Sequence, residues 1–178
     1  MSLKVSFELD DEDLEHFRLI MLHARDAVAR RSPEEIVATA GRLLSELGSR
    51  RTPTFIAERL QKLQLLMTMI SDIDWRLPHT EVKRVLNALA YFAEPDDLIP
   101  DEIPGLGYLD DAIMIELVVR ELAHEINAYE AFCAYREQAG DGSAADLAAK
   151  REDLVQQMRT ARAQDTESGR QDRIRLLD

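Results

Sequence analysis

In this chain, the residue types and spacing that best suit metal binding are those of Glu121, His124 and Glu125. Glu121-x-x-His124 has the Glu-x-x-His spacing that carboxylate-bridged di-iron bundles use for metal ligands. On a helical wheel, these three side chains fall among the apolar residues of their helix rather than on its polar stripe. A carboxylate in that position must be paired, hydrogen-bonded or protonated. The pattern therefore makes a metal-dependent enzyme one hypothesis.

A second hypothesis treats the same carboxylates as structural. A di-iron site needs the unit twice, and the partial second copy, Asp13-x-x-His16, lies on a helix whose histidines should face water. We therefore expect Glu121 and Glu125 to pair with an arginine or histidine of a packed neighbour, such as Arg51 or Arg59. Such a pair costs desolvation but can fix the register of two helices.

The segment from 94 to 111 is the other place where candidate metal ligands gather. Its prolines at 95, 100 and 104 prevent a continuous helix, so the segment should be a compact loop between helices four and five. The candidates are Asp97, Asp101, Asp110 and Asp111. Aspartate beside proline and glycine is first of all a turn or cap residue. We expect Asp97 and Asp101 to bond to backbone within the loop, and Asp110 to cap helix five.

Other catalytic patterns are absent from the sequence. It contains no phosphate-binding G-x-x-x-x-G-K-[ST] or G-x-G-x-x-G run and no G-x-S-x-G elbow. Cys133 and His124 lie about 13 Å apart along one helix, too far for a dyad. We assign no catalytic or cofactor-binding residue and expect no cofactor.

Six helices are predicted from apolar residues that recur every three or four positions. They begin near Asp11, Ser32, Thr52, Thr80, Asp111 and Ser143. The fifth should run unbroken to about Gln138, and the sixth to about Arg162, followed by a frayed polar tail. The predicted fold is an all-α, single-domain helical bundle. Residues 1–140 form the bundle, with a helix–loop–helix unit at about 82–122, and residues 141–178 form a C-terminal helix and tail.

The charge is concentrated in one stretch. The 178 residues carry a net charge of -12, and residues 94–137 hold 12 acidic against 2 basic groups. Nucleic acid is therefore excluded as a partner of that face, and a protein with a basic patch is favoured. No secretory signal or transmembrane segment is visible, and one cysteine suits a reducing compartment, so we expect a cytoplasmic protein. A homo-oligomer is left open.

The proline-rich segment also resembles a known family. The pattern P-x-D-L-I-P-D-x-I-P-x-x-G-x-x-D-D is similar to that of the bacterial YkvA-like family, a domain of unknown function. It is carried by Pro95, Asp97, Leu98, Ile99, Pro100, Asp101, Ile103, Pro104, Gly107, Asp110 and Asp111. The resemblance implies a helix–loop–helix unit and a bacterial source, and it implies no activity. Many relatives are membrane-associated, but Glu116, Arg120 and Glu121 interrupt the second helix here, which disfavours a bilayer-spanning hairpin.

From these observations we expect a non-catalytic binding or adaptor module with an acidic docking surface. The alternatives are a metal-dependent enzyme that uses the helix-five and loop carboxylates, and a peripheral inner-membrane protein held by a partner.

Overall fold

The first two helices begin where side chains cap the free backbone N–H groups. Asp10 accepts hydrogen bonds from the N–H groups of Glu12 and Asp13, and the Asp13 carboxylate accepts one from the N–H of Asp10. Ser32 and Glu35 form the same reciprocal box at the second helix, as the sequence predicts. These caps fix both starts, because each satisfies donors that the helix itself cannot pair.

The computed structural model describes residues 6, 8–49, 54–93, 109–140, 143–167 and 176–177, and within these ranges the chain forms seven α-helices. They are α1 (Asp11–Val28), α2 (Pro33–Ser49), α3 (Thr54–Ser71), α4 (His79–Ala90), α5 (Leu109–Glu121), α6 (Ala123–Ala139) and α7 (Ala144–Glu167), with a 3₁₀ turn at Tyr91–Ala93. The prediction of an all-α helical bundle is confirmed, with seven helices in place of six.

Helix α3 lies at the centre of the bundle. It packs chiefly against α5 and α2, and it also contacts α6 and α4. The spacing of its apolar residues predicts a stripe of Ile56, Leu60, Leu63, Met67 and Ile70, and the first three are buried. In the second half Met67 and Ile70 are half-buried, whereas Leu66 and Met69 are fully buried. A helix with neighbours on several sides buries more than one stripe, so the predicted stripe is only part of its buried surface.

The predicted fifth helix is wrong in one respect, because it breaks at Leu122. That residue has φ -98° and ψ 18°, and it separates α5 from α6. The guanidinium Nη2 of Arg84 lies 3.4 Å from the carbonyl oxygen of Glu121 and donates a hydrogen bond to it. A side chain that inserts into the backbone hydrogen-bond ladder is a known cause of helix kinks. Gly140, with φ 54°, ends α6 where the sequence predicts it.

Helix α4 buries more than the stripe that its spacing predicts, which is Val82, Leu86, Leu89 and Phe92. Leu89 and Phe92 are buried as predicted, whereas Val82 and Leu86 are half-buried. Val85 and Glu81, outside that stripe, are fully buried. The 3₁₀ turn that follows it is held at its end, since Arg31 donates to the carbonyl oxygen of Ala93 over 2.7 Å. Residues 94–108 lie outside the described residues, and with them the predicted hydrogen bonds of Asp97 and Asp101.

The chain end differs from the prediction of a frayed tail. Ser143 caps α7 as expected, but the helix continues to Glu167, one turn beyond the predicted end at Arg162. Leu176 and Leu177 are then buried in the bundle, at 0% and 2% exposure. Burial of these two leucines stabilises their position in the bundle. Residues 168–175 lie outside the described residues.

Candidate functional site

Glu121 and Glu125 are buried on either side of the break between α5 and α6. Glu121 is 8% exposed and Glu125 is 0% exposed. The prediction that these carboxylates lie on the buried side of their helix, and need partners there, is confirmed. The helical wheel predicts a polar stripe of Glu116, Arg120, Ala123, Asn127 and Glu130. Arg120, Asn127 and Glu130 are exposed, and Glu116 and Ala123 are half-buried.

The partners are two arginines that arrive from other helices. Arg84 of α4 places its Nε 3.3 Å from Oε1 of Glu125, and its Nη2 3.8 Å from Oε1 of Glu121. Arg162 of α7 places Nη1 2.8 Å from the same Glu125 oxygen and Nη2 3.4 Å from Oε1 of Glu81. We call these five residues, Glu81, Arg84, Glu121, Glu125 and Arg162, the carboxylate–arginine cluster. The cluster ties α4, the α5–α6 junction and α7 together.

Of the two predicted partners, Arg59 of α3 instead lies 3.5 Å from the carboxylate of the half-buried Glu116. Arg51 lies outside the described residues, so that part of the prediction is not tested. The residues that sequence reasoning missed are Glu81, Arg84 and Arg162. Arg162 carried a usable signal, because it lies four positions after the buried Met158 and so continues the apolar stripe of α7.

Glu81 is held as a charged group inside the protein. Burial by itself raises the pKa of Glu81. Hydrogen bonds from the Thr80 hydroxyl and from the backbone, together with the charges of Arg159 and Arg162, outweigh that effect, so the pKa lies below its ordinary value. Arg159 lies at the rim, 3.6 Å from Glu81, with its side chain 43% exposed. With it, three carboxylates face three guanidinium groups.

The candidate metal ligands of helix five do not converge. His124 turns to α7, where its Nε2 lies 2.7 Å from Oδ2 of Asp165. The predicted second half-site also faces outward, since His16 and His23 are exposed. Within the described part of the chain, no three His, Cys, Asp or Glu side chains are arranged to hold a metal ion.

Asp110 and Asp111 form a separate buried pair at the other end of α5. The helix begins at Leu109, so Asp110 lies in its first turn, and the prediction that it is the N-cap was wrong. Asp110 accepts a hydrogen bond from the Tyr91 hydroxyl over 3.4 Å. From Asp110 to Glu121 the helix rises about 16 Å, so the two acidic pairs cannot share one ion. Acidic groups in a first turn are favoured by the helix dipole.

Asp72 organises a second polar centre between α3 and α6. Its carboxylate accepts hydrogen bonds from the N–H groups of Asp74 and Trp75, and from the Tyr129 hydroxyl at 2.9 Å. Arg136 lies 3.1 Å from it. Burial raises the pKa of Asp72, but these partners lower it below its ordinary value. Burial and the bond to Asp72 also raise the pKa of Tyr129.

The structure divides the acidic stretch 94–137 into interior and surface groups. Seven of its acids lie in described residues, and four of these are buried: Asp110, Asp111, Glu121 and Glu125. Glu116 is half-buried, whereas Glu130 and Glu137 are exposed on α6. In the described part of this stretch, the exposed acids therefore lie on α6, and Glu116 of α5 is partly accessible.

Comparison with known proteins places a family on this part of the chain. Residues 84–117, from Arg84 of α4 through the proline-rich loop to Leu117 of α5, match the family model described as "Protein of unknown function (DUF1232)". The "Uncharacterized membrane protein YkvA" of Bacillus subtilis (strain 168) is 40% identical over 63 residues. The chain carries a YkvA-like domain of unknown function. The match takes in 32% of this chain and 59% of that relative's length.

The YkvA-like domain contributes Arg84 to the cluster, while Glu125 and Arg162 come from helices that follow it. No solved structure matches the chain. In the described ranges, none of the helices combines the length and the apolar character needed to cross a membrane.

Proposed function

We propose that the chain is a cytoplasmic, non-catalytic binding module that docks a basic protein partner. The observation that supports the proposal is that arginines pair with the buried acids. Glu121 and Glu125 are engaged by Arg84 and Arg162, an arrangement that joins three helices. A buried carboxylate held by guanidinium groups fixes helix register and is poorly placed to accept a substrate proton.

The docking surface in this proposal is the outer face of α6. Glu130 and Glu137 are exposed there, two helical turns apart, or about 10 Å along the axis. Glu130 lies 3.3 Å from Lys62, but both side chains are more than two-fifths exposed, so that pair is weak and exchangeable. Exposed carboxylates at this spacing suit a partner with lysine or arginine on successive turns.

The test compares capture of proteins from a bacterial lysate by two matched variants. Glu130→Gln/Glu137→Gln removes two charges from α6, and Glu152→Gln/Asp153→Asn removes two exposed charges from α7. We expect a protein captured by the wild type to be lost with the α6 variant, retained with the α7 variant, and released by salt. Equal capture by both variants, or capture that salt does not weaken, would refute the proposal that the outer face of α6 docks a basic partner.

A membrane-associated role is the second candidate, because the curated relative is described as a membrane protein. In this version the chain is a peripheral inner-membrane protein held by a partner. It should then sediment with membranes of its native host and be released by salt, while failing to sediment with vesicles of pure lipid. Binding to pure lipid vesicles would contradict attachment through a partner.

A further inference from the structure

The chain end occupies a position between two helices of the bundle. Leu176 donates its backbone N–H to Oε2 of Glu121 at the end of α5, over 3.3 Å. On the other side, the side-chain amide of Asn87 on α4 donates to the carbonyl oxygen of Leu177 over 3.5 Å. Both leucine side chains are buried. The segment is therefore held by its backbone from two sides and by two apolar side chains.

The polar contacts of this position do not depend on the sequence that fills it. Every residue except proline offers the N–H that Glu121 accepts, and every residue offers the carbonyl that Asn87 meets. Main-chain hydrogen bonds supply affinity and side-chain pockets supply selectivity in several modes of peptide recognition. Here the selective element is the pair of adjacent leucines.

The receptor side is also held by contacts that do not involve Leu176 or Leu177. Asn87 lies three residues after Arg84 on the same side of α4, and Arg84 is fixed by its contacts to Glu121 and Glu125. Glu121 is in turn positioned by Arg84, with its carboxylate almost fully buried. Contacts within the carboxylate–arginine cluster thus position the carboxylate oxygen of Glu121, and the shared helix α4 positions the side-chain amide of Asn87.

We propose that the space between Asn87 and Glu121 is a peptide-binding site for a protein segment with two adjacent leucines, and that Leu176–Leu177 is its built-in, displaceable occupant. Eight residues separate the end of α7 from Leu176, so the occupant stays tethered close to the site. Because this occupant belongs to the same chain, an outside peptide must compete with an intramolecular contact. The site is separate from the acidic face of α6.

The test uses the full chain with L176S/L177S, which removes the two leucines and leaves the receptor side intact. The probe is a fluorescein-labelled peptide of residues 171–178, QDRIRLLD, and its control is the same peptide with both leucines replaced by serine. Fluorescence anisotropy should show at least tenfold tighter binding of the probe to the variant than to the wild type. The control peptide should not bind, and adding N87A to the variant should weaken the probe severalfold.

Three results would overturn the proposal. They are a variant that keeps its helical circular dichroism but does not bind, equal binding by wild type and variant, and a variant that unfolds because the leucines belong to an indivisible core. Hydrogen exchange on the wild type tests the same point without substitution. The amide of Leu176 should exchange at least a hundredfold faster than those of Val85 and Leu117, and equal protection would contradict a displaceable occupant.

Discussion

Replacing Arg162 with methionine should destabilise the fold more than any comparable change on α7. The substitution keeps an unbranched apolar stem and removes the guanidinium that lies 2.8 Å from Glu125 and 3.4 Å from Glu81. Removing one partner of a buried ion pair costs about 3–5 kcal/mol, because the other charge is left buried. Arg162 is 25% exposed, and Arg84 remains 3.3 Å from Glu125, so the expected loss is lower. We expect about 2–3 kcal/mol.

The assay is urea unfolding at neutral pH followed by far-UV circular dichroism. Thermal unfolding is a second measurement of the same loss. For a chain of this size each kcal/mol lowers Tm by about 2–4 °C, so Tm should fall by about 4–12 °C. Arg159→Met is the matched control, since Arg159 is more exposed and lies 3.6 Å from Glu81. It should cost about 0–1 kcal/mol.

A double-mutant cycle separates the ion pair from packing. In Glu125→Gln the amide keeps the shape of the side chain, and combining it with Arg162→Met should cost at least about 1 kcal/mol less than the sum of the single changes. The reasoning is refuted if Arg162→Met costs no more than Arg159→Met, or if the cycle is additive.

Three further predictions use other parts of the structure. Folding lowers the pKa values of Glu81 and Asp72, so the stabilisation that these carboxylates give is complete above their ordinary pKa values. This stabilisation should be lost as the pH falls below about 4. Urea midpoints that do not fall in that range would contradict the prediction. The raised pKa of Tyr129 should keep its phenol neutral above pH 10, so ultraviolet titration of the folded wild type should show one tyrosine more resistant to ionisation than in Tyr129→Phe. Ser32→Ala removes the α2 cap and should cost about 1 kcal/mol in urea unfolding, while Ser45→Ala, which loses only a bond to the carbonyl of Gly41, should change little.

The features that could be predicted from the sequence are those fixed by neighbouring residues. Asp10, Ser32 and Ser143 start their helices because each side chain reaches N–H groups two or three residues away. Glu121 and Glu125 were expected to be buried because helical periodicity places them among apolar residues. Local patterns also carried the YkvA-like resemblance, since its motif is one continuous segment.

The features that could not be predicted depend on residues far apart in the chain. Arg84 donates to the carbonyl oxygen of Glu121, beside the helix break at Leu122, from 37 positions away, and Arg162 reaches Glu125 across 37 positions. Helical periodicity contains no information about which arginine a packed helix brings near. The burial of Leu176 was missed for the same reason, because a short polar segment shows no period that marks a docking site.

The central claim is that the buried carboxylates of the α5–α6 junction are structural groups neutralised by arginine. The most direct measurement is the metal content and Tm of the protein purified from its native host, before and after exhaustive dialysis against a chelator. We predict less than stoichiometric iron, manganese or zinc, and the same Tm in both samples. One metal ion per chain, lost on dialysis together with stability and absent from Glu121→Ala or His124→Ala, would contradict the claim.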